Sequence, residues 1–157
     1  MKITSKGEYA AKAVLYLALK DPEIATIQEI AEQHNIPLKY LEQILCTLKH
    51  AGVLRSRRGI HGGYQLGRPP ERITLGQVLR IVDGDFAGGR CPEGDGPAAV
   101  MTPGYVCPEL NSCGLQMVWN EVRHAVEEIL DHTSFDDIRK RTLSSMARKS
   151  NFVRYEL

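Results

Sequence analysis

Aromatic residues are scarce in this chain: they make up 6% of its 157 residues, with Trp119 the single tryptophan. No apolar run reaches the roughly 18 to 20 residues that a membrane span requires. Internal repeats and low-complexity tracts are missing, which excludes a solenoid. So are a phosphate-cradling glycine loop, a His-Glu metal motif and any nucleophile–base pair, so the chain is not expected to be an enzyme. The opening MKITSKGEYAAKAVLYLAL is not a secretory signal. Glu8 and Lys12 interrupt its apolar stretch and no small-residue cleavage site follows. It reads as an amphipathic helix, and the protein is expected to be cytoplasmic, where thiols stay reduced.

Net charge is also nearly absent, at +1, but that total conceals an asymmetry. Residues 1–72 hold 11 Lys and Arg against 7 Asp and Glu, and residues 73–157 hold 9 against 12. Within 39–72 the balance is 7 basic residues to 2 acidic ones. A basic surface on an otherwise acidic molecule predicts a polyanionic partner on one side only.

Residues 3–20 place Ala10, Ala13, Val14 and Leu17 at helical spacing. Thr26 and Glu29 form a capping box that opens a short helix. HNIP then turns, and a helix over about 37–50 buries Leu41, Ile44, Leu45 and Leu48; Cys46 falls in its core register. VLRSRRGIHGGYQL follows at once as two short strands, 53–57 and 63–66, around a glycine-rich tip. The fold class is therefore mostly α with a small β wing: a winged helix-turn-helix followed by a long helix. Thr74 and Gln77 mark a second capping box and start the helix that DGD ends. Beyond a loop, Leu115, Val118, Trp119, Val122, Val126 and Ile129 recur in steps of three, four and seven, the narrow seam of a helix that pairs with another helix. Ser134 caps a last helix, and a flexible tail is expected from about residue 148.

A helix-turn-helix sends the N-terminal end of its second helix into the major groove. The exposed residues there are Lys39, Tyr40 and Gln43. Lysine suits guanine acceptors or a phosphate, glutamine can pair bidentately with adenine, and tyrosine suits a phosphate or a thymine methyl. The wing adds Arg55, Arg57, Arg58 and His61, and an arginine there could enter a narrow minor groove.

Three of the four cysteines, Cys91, Cys107 and Cys113, lie in the segment 84–113, which is rich in glycine and proline. Thiolates are soft ligands, and such a loop can wrap an iron–sulfur cluster. Spacing alone also admits a redox disulfide, zinc or inert thiols, although the two- to four-residue spacer usual in structural zinc sites is missing. His124 is too far along the same helix to complete the set, about 16 Å from Cys113. His34, in the turn before the second helix, is a candidate ligand that would touch the DNA-reading geometry directly.

SKGEYAAKAVLYLA, YLEQIL, the wing RG..GGY and ITLGQVLRIVDG stand in one order and at set distances. Together they resemble the bacterial Rrf-two family of winged-helix regulators, the IscR, NsrR and CymR type. The resemblance implies a homodimeric transcription regulator, a repressor or an activator. Its long helix would form the dimer seam, and its two winged domains would read a pseudo-palindromic double-stranded DNA operator. It carries Lys39, Tyr40, Gln43 and Arg58 over as DNA contacts; Ile60 and His61 replace the family's usual Pro-Gly at the wing tip. It further implies an iron–sulfur cluster, 2Fe-2S or 4Fe-4S, on Cys91, Cys107 and Cys113, sensing iron, redox state or nitric oxide. The fifteen residues between Cys91 and Cys107 exceed the usual spacing, and Gln116 stands where some members have a histidine ligand. Glu8 matches the acidic ligand that another branch donates from the partner subunit. The alternative is a metal-free regulator of the same family, sensing by thiol oxidation or through a small-molecule or protein partner. The expected organisation is a DNA-binding domain over 1–83, a cysteine loop over 84–113, the dimerisation and C-terminal helices over 114–147, and the tail over 148–157.

Overall fold

The computed structural model describes residues 3–59, 62–84, 100–102, 105–106 and 113–153. Helix α1, Ser5–Lys20, starts where the Thr4 hydroxyl accepts the Gly7 N–H at 3.1 Å, and it buries Ala10, Ala13, Val14, Leu17 and Ala18. Its small side chains let neighbouring helices approach closely, so α1 is the central post of the domain. Helix α2, Ile27–His34, opens on the expected capping box, with Thr26 N–H donating to Glu29 Oε2 at 2.6 Å and Glu29 N–H donating to Thr26 Oγ1 at 3.2 Å. It stops at Asn35, whose φ of 51° is the left-handed cap that asparagine tolerates. Pro37 then leads into α3, Leu38–His50, whose Leu41, Ile44, Leu45 and Leu48 are fully buried.

Strands β1, Leu54–Arg57, and β2, Gly63–Leu66, pair antiparallel, with Leu54 opposite Leu66 and Arg57 opposite Gly63. The hairpin is tied to the helix pair: Ala25 and Tyr64 exchange backbone hydrogen bonds of 2.9 and 2.8 Å just before α2. Gly63 is required there, since a Cβ would lie 2.4 Å from the Ala25 carbonyl oxygen. A single 3₁₀ turn, Pro70–Arg72, leads to α4, Leu75–Asp83. Thr74 caps α4 by accepting Gln77 N–H at 3.2 Å, the one-way half of the box expected there. A short antiparallel pair, β3 at Val100–Thr102 and β4 at Tyr105–Val106, lies within the expected cysteine loop and was not foreseen.

Helix α5, Gly114–His132, joins α4 through an ion pair between Arg80 and Asp131. Helix α6 runs Phe135–Val153, past the point where the tail was expected to begin. Ser134 and Asp137 cap it reciprocally, and the buried Asp136 carboxylate is held below its usual range by Lys140 and Arg139 in the next turn.

The α2 cap has a pH signature. Hydrogen bonding to the Thr26 backbone, and then to the Lys20 ammonium at 2.9 Å, lowers the Glu29 pKa to about 2. Unfolded glutamate titrates near 4.3. Glu29 therefore stabilises the fold fully above that range, and the contribution is lost as the pH falls toward about 2. Glu29→Gln is expected to flatten this part of the stability–pH curve, as urea midpoints across the window would show. The effect is small, because the side chain is 43% exposed and screened by solvent.

Candidate nucleic-acid interface

At 100° per residue, Lys39, Gln43, Cys46, Thr47 and His50 fall within an arc of about 100° on α3, opposite its buried leucines and isoleucine. Lys39, Gln43 and His50 are exposed, and Thr47 is half-buried, its hydroxyl donating to the Gln43 carbonyl at 2.9 Å. Tyr40 flanks the arc and is 36% exposed. Its ring stands edge-on to Tyr9 of α1, with centroids 5.9 Å apart, so α1 fixes the start of α3. The helix thus presents a largely exposed polar surface among the described residues, which is what entry into a groove requires.

The wing lies beside this face. Arg55, Arg57 and Arg58 are all exposed. Next to Arg58, Gly59 stands at φ 112° and its carbonyl accepts the Gly62 N–H at 2.9 Å. His61, the remaining wing residue singled out from the sequence, lies outside the described residues, as do Cys91 and Cys107.

The other candidate ligands occupy distinct settings. Cys113 is the N-cap of α5 and half-buried; its side chain makes no capping hydrogen bond, while its carbonyl accepts Gln116 N–H at 3.0 Å. Glu8 is exposed in the first turn of α1 and pairs with Lys12 at 2.6 Å. The start of that helix is clasped to the end of α4: Thr4 Oγ1 donates to Asp83 Oδ1 at 2.6 Å, and the Lys6 ammonium donates to the Val82 carbonyl at 2.8 Å. His34 is half-buried, edge-on to Tyr16 at 5.7 Å, and its Nε2 is buried without a partner. Burial, and then the Lys12 charge, pushes its pKa down, so it packs as a neutral ring behind the turn. Among the described residues, no three His, Cys, Asp or Glu side chains are grouped as a metal site.

Cys46 departs from its expected place in the core. It is half-buried on the same side of α3 as Gln43, with Sγ 3.8 Å from His50 Nδ1. Its adjacency to Leu45 concealed this; the four-residue spacing to His50 was the signal available in the sequence.

Comparison with known proteins fits this geometry. The sequence profile of Rrf2, described as an iron-dependent transcriptional regulator, matches residues 3–141. The chain belongs to the Rrf2 family. This Rrf2 protein is 34% identical to the HTH-type transcriptional regulator CymR of Bacillus subtilis over 143 residues, covering 90% of this chain and 92% of that one. It is 33% identical to the HTH-type transcriptional regulator IscR of Aliivibrio salmonicida over 139 residues, 88% of this chain and 77% of the relative. The solved structure of the B. subtilis CymR superposes with a TM-score of 0.73 at 30% identity, covering 90% of this chain and 98% of that one. The winged-helix architecture is therefore shared, and this Rrf2 protein is a transcriptional regulator, not an enzyme. No helix among the described residues is long and apolar enough to cross a membrane.

Proposed function

We propose that the chain acts as a homodimer on a pseudo-palindromic operator in the cytoplasm, with its grip set by an iron–sulfur cluster on Cys91, Cys107 and Cys113. The observation that carries this reading is the position of Cys113. It joins the thiol-bearing segment directly to α5, the helix whose apolar seam stands open to solvent. Cysteine sulfur is the soft donor a cluster takes, and the half-buried Cys113 side chain is not committed to a capping bond, so this residue fits the group. When bound, the cluster supplies an electron-transfer and nitric-oxide-reactive centre. The protein's own residues do the rest. Cys113 anchors α5, Glu8 of the partner subunit offers a carboxylate, and the Thr4–Asp83 clasp links the root of the loop to α1. His34, packed against Tyr16, would take part only if it left that pocket.

Anaerobically purified protein is expected to be coloured and to carry iron and sulfide. Removing them should change operator affinity at least tenfold, measured by gel mobility. Colourless, iron-free protein would remove the cluster from this reading. The second reading, sensing by thiol oxidation, is supported by likeness to the Staphylococcus aureus CymR oxidised form, with a TM-score of 0.69 at 31% identity. Thiol titration alongside the iron assay separates the two.

Lys39, Tyr40 and Gln43 would read the major groove, while Arg55, Arg57, Arg58 and His61 would hold the backbone or minor groove. Arg58→Ala is expected to weaken binding across all sequences and to flatten the salt dependence by about one unit of slope. Gln43→Ala should instead relax preference at one base position, at a cost of about 1–3 kcal/mol in discrimination. Selection from random duplexes would show both effects. An unchanged slope with an unchanged preferred site would count against this surface.

A further inference from the structure

We propose that Cys46 and His50 form a two-ligand site for a thiophilic divalent cation of the zinc class on the DNA-reading face of α3, and that its occupation strengthens the hold on DNA. The inference rests on the reading of α3 given above.

The two residues are four apart on one helix, the spacing that places ligands one above the other on a single face. Their donor atoms, Cys46 Sγ and His50 Nδ1, are already 3.8 Å apart. Zinc binds a thiolate at about 2.3 Å and an imidazole nitrogen at about 2.0–2.1 Å, so donor atoms separated by about 3.8 Å subtend about 120° at the metal, close to tetrahedral. The pair therefore needs almost no rearrangement to chelate. Neither side chain is held in the core: His50 is exposed and Cys46 half-buried. The carboxylate of Glu42 is one turn earlier on the same helix and adds a favourable field for a cation. With no third protein ligand grouped there among the described residues, water fills the remaining positions, and those positions face outward.

Binding releases one proton, from the Cys46 thiol, when a dication is gained, so the face becomes more positive by one unit. The added charge lies on the arc that carries Lys39 and Gln43. Water-bearing coordination positions can there accept a phosphate oxygen of the duplex. One extra phosphate neutralised steepens the salt dependence by about 0.9, equivalent to about eightfold tighter binding near 0.1 M salt.

The test uses the full reduced chain, zinc chloride as the probe, and a duplex selected from random sequence by the metal-free wild type. Zinc is expected to tighten wild-type binding about eightfold and steepen its salt slope by about one. Cys46→Ser and His50→Ala should lack that increment, each compared with its own metal-free binding. The cysteines of the 84–113 segment are the same in all three proteins, so an equal zinc response in the variants would assign the effect to that segment and overturn the proposal. A wild type that does not respond, or that loosens, overturns it too. Cadmium titration, read by the ultraviolet thiolate-to-metal absorption, gives a measure that needs no DNA. One thiolate's share of the signal should vanish in Cys46→Ser, and its persistence would dispose of the site. Failure of both the metal-free and the iron-loaded wild type to select any duplex would instead defeat the reading of α3, so the two failures are distinguishable.

Discussion

Replacing Val122 by glutamate is expected to give a folded chain that runs as a monomer and holds its operator at least a hundredfold more weakly, the scale of loss when two linked sites become independent. The expectation starts from α5. Leu115, Val118, Trp119, Val122 and Ile129 are between 43% and 65% exposed, although their spacing is that of a buried seam. Val122 lies in the middle of the helix, one turn beyond Val118 and Trp119. In a twofold pair such a position meets its own copy or a close neighbour, so glutamate would bring like charges together in a desolvated strip. In the monomer the same substitution is benign, since valine is already 45% exposed there and glutamate is a good helix former. Sedimentation equilibrium beside gel mobility checks both halves. A Val122→Glu chain that remains dimeric would mean that the seam lies elsewhere.

Phe135→Ala is expected to destabilise the fold by about 3–5 kcal/mol, a large part of the 5–15 kcal/mol typical of a domain. Phe135 is fully buried and, among the described residues, the largest side chain so placed. It begins α6 and is pinned by its backbone as well: Phe135 N–H donates to the Ile73 carbonyl at 2.8 Å, and Leu75 N–H donates to the Thr133 carbonyl at 2.9 Å. These bonds prevent the chain from collapsing into the space the ring leaves, so the cavity persists. Urea denaturation should show a midpoint lowered by about 2 M, at slopes of about 1–3 kcal/mol per molar. A shift under 0.5 M would show that α6 contributes little to the core.

Those two residues also mark how far the sequence could be read. The helices were legible wherever local chemistry sets them: Thr26 with Glu29, Asn35 after His34, and the leucine–isoleucine face of α3 are all decided within a few residues. The polar side of α3 followed by subtraction from that face. Phe135 gave no such sign, because its burial comes from α6 folding back onto residues near Ile73, a long-range event. The clasp of Thr4 on Asp83 spans 79 positions and has no local signature. Cys46 was misplaced for a different reason: a small apolar side chain beside Leu45 satisfies a core pattern and a surface one equally, and only the helix angle separates them. The β3–β4 pair was hidden in a stretch where proline and glycine spoke for a loop.

One helix, α1, touches two distant parts of the molecule. Its first residues grip the end of α4, and Tyr9, five positions after Thr4, leans on Tyr40 at the mouth of α3. Any influence that passes along this post must run equally in both directions, because equilibrium coupling is reciprocal. A promoter occupied by the protein would then retune the chemistry of the segment after Gly84 by the same factor with which that chemistry retunes occupancy. The genome would act as an effector of its own regulator.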